Sequence, residues 1–152
     1  MSITLEPVAH VRGGRAEAVD DDWGESRCAI ELADHIPEAA LSGLIDFSHV
    51  EVVYVFDRLP EDQVVMDARR PRDNPVWPRI GVFAQRGRNR PNRLGVSICR
   101  ILGVEARRLI VEGLDAIDGT PVLDIKPVMK GFLPRAEVRE PRWAAELMKD
   151  YW

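Results

Sequence analysis

The sequence predicts a mainly β fold, a small barrel or a sandwich. Three observations carry that reading. Seven short runs are rich in Val, Ile or Leu, Gly, Pro, Asp or Asn separates most of them, and helical patterning is confined to two segments.

In chain order, the first strands are expected at Ile3–Val11 and Arg27–Ala33. A short internal helix follows at Pro37–Phe47, with its proline in the first turn, where the missing N–H costs nothing. Val50–Asp57 opens with VEVVYVF, so nearly apolar that a central strand covered on both faces is expected. Asp57–Pro78 is loop-like, because Pro60, Pro71, Pro75 and Pro78 restrict the backbone and remove ladder donors. Strands are then expected at Arg79–Ala84, Leu94–Leu102, Arg107–Leu114 and Val122–Ile125. A helix closes the pattern at Pro141–Tyr151, where Trp143, Leu147 and Tyr151 recur at helical spacing beside Ala144 and Met148. That stripe suits packing on the barrel or on a partner subunit.

The 152 residues suit one domain over 1–152, and 45% apolar content is enough for a core. No apolar run is long enough to span a bilayer, and MSITLEPVAHVRGG lacks the layout of a signal peptide, so a cytoplasmic protein with no membrane association is expected. Cys28 and Cys99 fit that compartment as free thiols, Cys99 within an apolar run. His10, His35 and His49 have no metal-ligand spacing, and there is no Cys-x-x-Cys, so no metal is expected.

The net charge of −4 hides an asymmetry. Glu17–Glu38 holds eight acids and one arginine, whereas Arg69–Arg93 holds eight arginines and one acid, Asp73. The two segments either neutralise each other or present a local field to an anionic partner. The basic segment ends in GVFAQRGRNRPNRLGVS, where Arg86, Arg88, Arg90 and Arg93 crowd a loop stiffened by Pro91 and Asn92. Such a loop is either a solvated turn or a surface for carboxylate or phosphate, which guanidinium groups bind in bidentate fashion.

A second constellation is GLDAIDGTPVLDIKP. Asp115, Asp118 and Asp124 surround an Asp-Gly turn that precedes a strand. Asp118 suits a bond to its own turn. Asp124 interrupts the apolar run Val122–Ile125; facing inward it must be paired, and facing outward it is ordinary. No Gly-x-Gly-x-x-Gly follows a strand, and no P-loop lysine is present.

Together these segments resemble one family. GVFAQRGRNRPNRLGVS is similar to its pattern G-V-F-A-T-R-S-P-x-R-P-N-P-I-G-x-S, LDAIDGTPVLDIKP matches its second signature, and FSHVEVVYVF resembles a third element. The family is the tRNA threonylcarbamoyladenosine methyltransferases, the TrmO/YaeB group, and the resemblance covers roughly Val8 to Pro134. It implies a small antiparallel β-barrel, here of about seven strands with a short internal helix and a C-terminal helix. It also implies a homodimer, a tRNA substrate and S-adenosylmethionine at the barrel mouth.

By motif match the resemblance places Arg86, Val96, Asp118, Gly119, Thr120, Pro121, Ser48 and His49 at the cofactor, with Trp23 and Gly24 as a further contact. It leaves Arg88, Arg90, Arg93, Arg69, Arg70 and Arg72 for RNA phosphates. The acceptor nitrogen of threonylcarbamoyladenosine is urea-like, and its delocalised lone pair calls for a proton acceptor. Asp118, Asp124 and His49 are the candidates. The chain departs from the pattern at Gln85, Gly87 and Arg93, and longer family members carry an extra C-terminal domain. Two other readings stand beside this one: a non-catalytic RNA-binding barrel, and methylation of a different acceptor.

Overall fold

Six strands close into an antiparallel barrel in a computed structural model that describes residues 1–152. In chain order, β1 (Ala9–Arg12), β2 (Arg27–Leu32) and β3 (His49–Val55) precede a two-stranded ribbon of β4 (Ala68–Arg69) and β5 (Ile80–Gly81). Then come β6 (Leu94–Glu105), β7 (Arg108–Glu112), β8 (Pro121–Pro127) and one helix, α1 (Arg142–Met148). The barrel order is β1-β2-β7-β6-β3-β8, returning to β1.

Alternation along the strands builds the interior. Val11, Ile30, Val50, Val52, Leu109, Val111 and Val122 point inward and are fully buried. β3 alternates rather than being covered on both faces: Val50, Val52 and Tyr54 are buried, whereas Glu51, Val53 and Val55 lie on the outer face and are half-buried. Cys28 and Cys99 are free thiols in the core.

Several expected elements are shorter than their sequence suggests, among them the closing helix, which runs over Arg142–Met148 only, and three are cut for a visible reason. Ile3 and Leu5 are exposed, and the first strand starts only at Ala9, because β2 runs out at Leu32, the partner of Ala9. Pro37–Phe47 is two 3-10 turns, Glu38–Leu41 and Leu44–Asp46, parted by Gly43 in the left-handed region at φ 89°, which a continuous helix excludes. Arg79–Ala84 contributes only β5 before a 3-10 turn at Val82–Ala84, outside the barrel, where the neighbouring prolines prevent a longer ladder.

Strand direction decides where the loops go. The pairs Arg27↔Glu112, His10↔Pro121 and Val55↔Leu94 put the connections 13–26, 56–93 and 113–120 at one rim. The opposite rim holds 33–48 and the tight β6–β7 turn at Ala106 and Arg107. No helix is long and apolar enough to cross a membrane.

Candidate ligand site at one barrel rim

The Asp118–Pro121 turn forms one wall of the loop-rich rim. Its backbone donors are all committed inside the protein: Asp118 N–H to the Arg15 carbonyl (2.8 Å), Gly119 N–H to Val11 (2.7 Å) and Thr120 N–H to Ile117 (3.2 Å). The Thr120 hydroxyl also donates to Ile117 (2.7 Å). Asp118 Oδ1 accepts from Gly13 N–H (2.9 Å). The turn therefore offers acceptors rather than N–H groups, above all Asp118 Oδ2. Gly119 is required there, because its φ of 85° is left-handed and a Cβ would lie 2.9 Å from Arg58 Nη2.

Two contributors escaped the sequence reading. Arg58, just beyond β3, donates to the Asp118 carbonyl (2.8 Å). The Gly13–Arg15 segment is wired to the same turn from β1. Their only sequence signals are a basic residue where an apolar strand stops and a Gly-Gly pair that ends another, and neither is specific.

Behind the turn lies a hydroxyl–carboxylate network in which Tyr54 and Ser97 are buried and Asp115 and Tyr151 half-buried. Asp115 Oδ1 accepts from the Tyr54 hydroxyl (3.0 Å) and from Ser97 Oγ; Oδ2 accepts from the Tyr151 hydroxyl. Burial, reinforced by the Asp115 carboxylate, pushes the titration of both tyrosines well above the usual range, so they remain proton donors. Tyr54 reaches this position because its cross-strand partner is Gly95, where a Cβ would stand 2.5 Å from the ring. Sequence reading singled out Asp115 only as part of the aspartate cluster.

Arg86 is exposed and donates to the Val96 carbonyl, one residue from Ser97. Arg86, Val96 and the Asp118–Pro121 turn thus share one rim. Trp23 and Gly24 also lie there, but the chain itself covers them. Trp23 is 2% exposed with its indole N–H on the Val19 carbonyl (3.0 Å) and Arg15 stacked 4.4 Å from its ring, and a Cβ on Gly24 would come within 2.6 Å of the Trp152 backbone.

Ser48 and His49 sit elsewhere. They begin β3 at the opposite rim, with the Ser48 hydroxyl 2.7 Å from His49 Nδ1. Five residue steps along the strand, about 17 Å at roughly 3.3 Å per step, separate His49 from Tyr54. Asp124 faces outward. A register shift beside Leu123 pairs it with Val53 on the outer face, where it holds Lys126 (2.8 Å) and accepts from Ile125 N–H. Within one protomer, His49 and Asp124 do not stand beside the Asp118–Pro121 turn, and Ser48 and His49 lie at the other end of β3 from Arg86 and Val96.

The loop arginines divide by partner. Arg69 pairs with Asp73 (2.9 Å) and Arg72 with Asp21 (2.9 Å), the one direct ion pair between the basic and acidic segments. Arg70 donates to the carbonyls of Trp77 and Pro75, Arg90 to those of Gln85 and Gly87, and Arg93 to Leu59. Arg88 alone among the six has no protein partner. Gln85 clamps the loop by donating to the carbonyls of Arg69 (2.9 Å) and Ile80 (3.1 Å).

Fold and site together define a closed antiparallel barrel with a polar, arginine-flanked rim. The family model of the tRNA-methyltransferase O N-terminal domain matches residues 21–132, and the chain belongs to this family. It is 35% identical over 144 residues to a Pseudomonas aeruginosa protein named putative S-adenosylmethionine-dependent methyltransferase RcsF, covering 91% of this chain and 58% of that one. It is 35% identical over 119 residues to the human tRNA (adenine(37)-N6)-methyltransferase, covering 76% of this chain and 26% of that one. The crystal structure of TrmO from Pseudomonas aeruginosa superposes with a TM-score of 0.73 at 32% identity, over 91% of this chain and 61% of that one. The chain spans less than two thirds of the length of these proteins.

Proposed function

We propose that this barrel is an S-adenosylmethionine-dependent tRNA methyltransferase unit that methylates the exocyclic nitrogen of threonylcarbamoyladenosine in the anticodon loop. The observation that carries the reading is the convergence of Arg86, Arg58 and the Asp118–Pro121 turn at one rim, in a chain of the tRNA-methyltransferase O family. The names of its relatives point to the same cofactor and to tRNA adenine.

The rim fits such a ligand by its donor set. S-adenosylmethionine carries a carboxylate together with ammonium, amino and hydroxyl donors, and the rim offers guanidinium donors beside an acceptor-rich turn. Arg86 would take the carboxylate; Asp118 Oδ2 and the turn carbonyls would take amino or hydroxyl groups. When bound, the cofactor supplies an electrophilic methyl group. The chain's own task is to align the acceptor and exclude water. Arg88 lies free for a tRNA phosphate, whereas Arg69, Arg70, Arg72, Arg90 and Arg93 shape the loop that presents it.

A homodimer belongs to the same reading. Leu94, Ile98 and Leu102 are exposed along the outer face of β6, and a dimer would cover them; light scattering at the purified protein's working concentration would read its mass.

Titration calorimetry with S-adenosylmethionine and mass spectrometry of tRNA nucleosides after incubation test the function. The expected result is binding, with a gain of one methyl on threonylcarbamoyladenosine. Absence of cofactor binding overturns the enzyme assignment in favour of an RNA-binding barrel, and a methyl gained on another nucleoside reassigns the acceptor.

A further inference from the structure

The final segment has no task in the reaction outlined above, yet it ends on the most heavily hydrogen-bonded carboxylate of the site. β8 finishes at the opposite rim, and Met129–Arg142 is exposed throughout on its way back. α1 buries no residue. Few hydrogen bonds fasten the segment: Asp22 N–H to the Asp150 carbonyl (3.0 Å), Trp23 N–H to the Tyr151 carbonyl (2.8 Å), the Trp77 indole to Glu146 (3.0 Å), and the Tyr151 hydroxyl to Asp115; Trp152 also packs on Gly24. Trp143, Ala144, Leu147, Met148 and Tyr151 are half-buried and none is fully buried, so the attachment opens at lower cost than a core element would.

The two oxygens of Asp115 differ in how permanently they are held. Oδ1 takes Tyr54 and Ser97, both buried on barrel strands. Oδ2 takes a donor only from the final segment. If that segment lifts, one carboxylate oxygen is left wanting an N–H or O–H while the other keeps the group aimed. The exposed oxygen then belongs to the rim that carries Arg86 and Arg72, whose positive charges act on the Tyr151 hydroxyl.

We propose that Arg142–Trp152 is a displaceable strap, that Tyr151 fills in the free protein the hydrogen-bond position taken by the N–H of the methyl acceptor, and that Asp115 receives that N–H. The proposal rests on the methyltransferase reading. A urea-like nitrogen whose proton leans on a carboxylate is more electron-rich, and Asp115 is the carboxylate at this rim whose second oxygen is capped by a removable donor. Tyr151 serves as a stand-in because, like the acceptor, it is a protonated donor.

Three measurements on the full chain decide it. In ligand-free protein, Tyr151→Phe should raise hydrogen exchange at the Asp22 and Trp23 amides about tenfold, the loss of one hydrogen bond to a charged group; unchanged exchange overturns the strap. In the wild type with S-adenosylhomocysteine present, tRNA carrying threonylcarbamoyladenosine should raise exchange at those amides, and stronger protection or no change overturns displacement. Asp115→Asn should lower kcat about a hundredfold while directly measured tRNA affinity stays within about threefold; a kcat near that of the wild type overturns the Asp115 assignment. A wild type that methylates tRNA while Asp115→Asn does so equally well refutes this inference alone. A wild type that binds no S-adenosylmethionine refutes the methyltransferase reading and, with it, the role given to Asp115.

Discussion

At the scale of single residues, the site depends on a side chain that is absent. Gly95 lets the Tyr54 ring lie flat across β6, and that ring places the phenol on Asp115. Gly95→Ala would put a methyl 2.5 Å from two ring carbons, and neither the strand backbone nor the buried ring has room to yield. The expected cost is about 1–3 kcal/mol of stability, the usual range for overpacking. Urea denaturation would show it as a lower midpoint with an unchanged slope, and a midpoint equal to that of the wild type would contradict the packing argument.

At the scale of elements, the arginine loop is a scaffold as well as a surface. Its two Arg-Pro turns, Arg70–Asp73 and Arg90–Arg93, share a proline followed by two left-handed residues: Arg72 and Asp73 at φ 52° and 54°, Asn92 and Arg93 at 60° and 53°. Non-glycine residues adopt such angles at a cost, and here carbonyl-bound guanidinium groups and the Arg72–Asp21 pair hold them. Arg88→Ala should therefore lower the slope of log affinity for tRNA against log salt by about one, whereas Arg90→Ala should chiefly loosen the loop, raising its hydrogen exchange. An unchanged salt slope for Arg88→Ala would remove that residue from the RNA surface.

At the scale of the whole molecule, the barrel interior sets an alkaline limit on stability. Burial raises the Cys28 thiol from its ordinary value near 9 to about 11, and that of Cys99 to about 12. Folded pKa values above unfolded ones mean that the stability is fully present below about pH 9 and lost as pH rises towards the folded values. Each thiol contributes a slope of up to about 1.4 kcal/mol per pH unit. Tyr54 and Tyr151, also raised, add to the loss above about pH 10. Replacing both cysteines with Ala should flatten the pH dependence of unfolding between about pH 8 and 9, where unfolded tyrosines are still protonated for the most part. The same slope in that variant would show that the thiols are not its source.

The sequence by itself determined the β character, the strand β3, which stops two residues short of Asp57, the turn at Asp118–Gly119 and the arginine loop. Each is written in local chemistry: alternation, a left-handed glycine, a proline-stiffened basic run. The long motifs led to the expectation that Arg86 and Asp118 serve one site, and barrel closure puts both at the same rim. Only the tertiary structure separated His49 from that rim, because β3 spans the barrel and its two ends are as far apart as the strand is long. Only the register shift beside Leu123 turned Asp124 outward, since one extra residue exchanges the faces of a strand. The network of Tyr54, Ser97, Asp115 and Tyr151 had no local signature either. Its members come from two strands, a loop and the final segment, and closing an antiparallel barrel sends alternate connections to the same end whatever their distance along the chain.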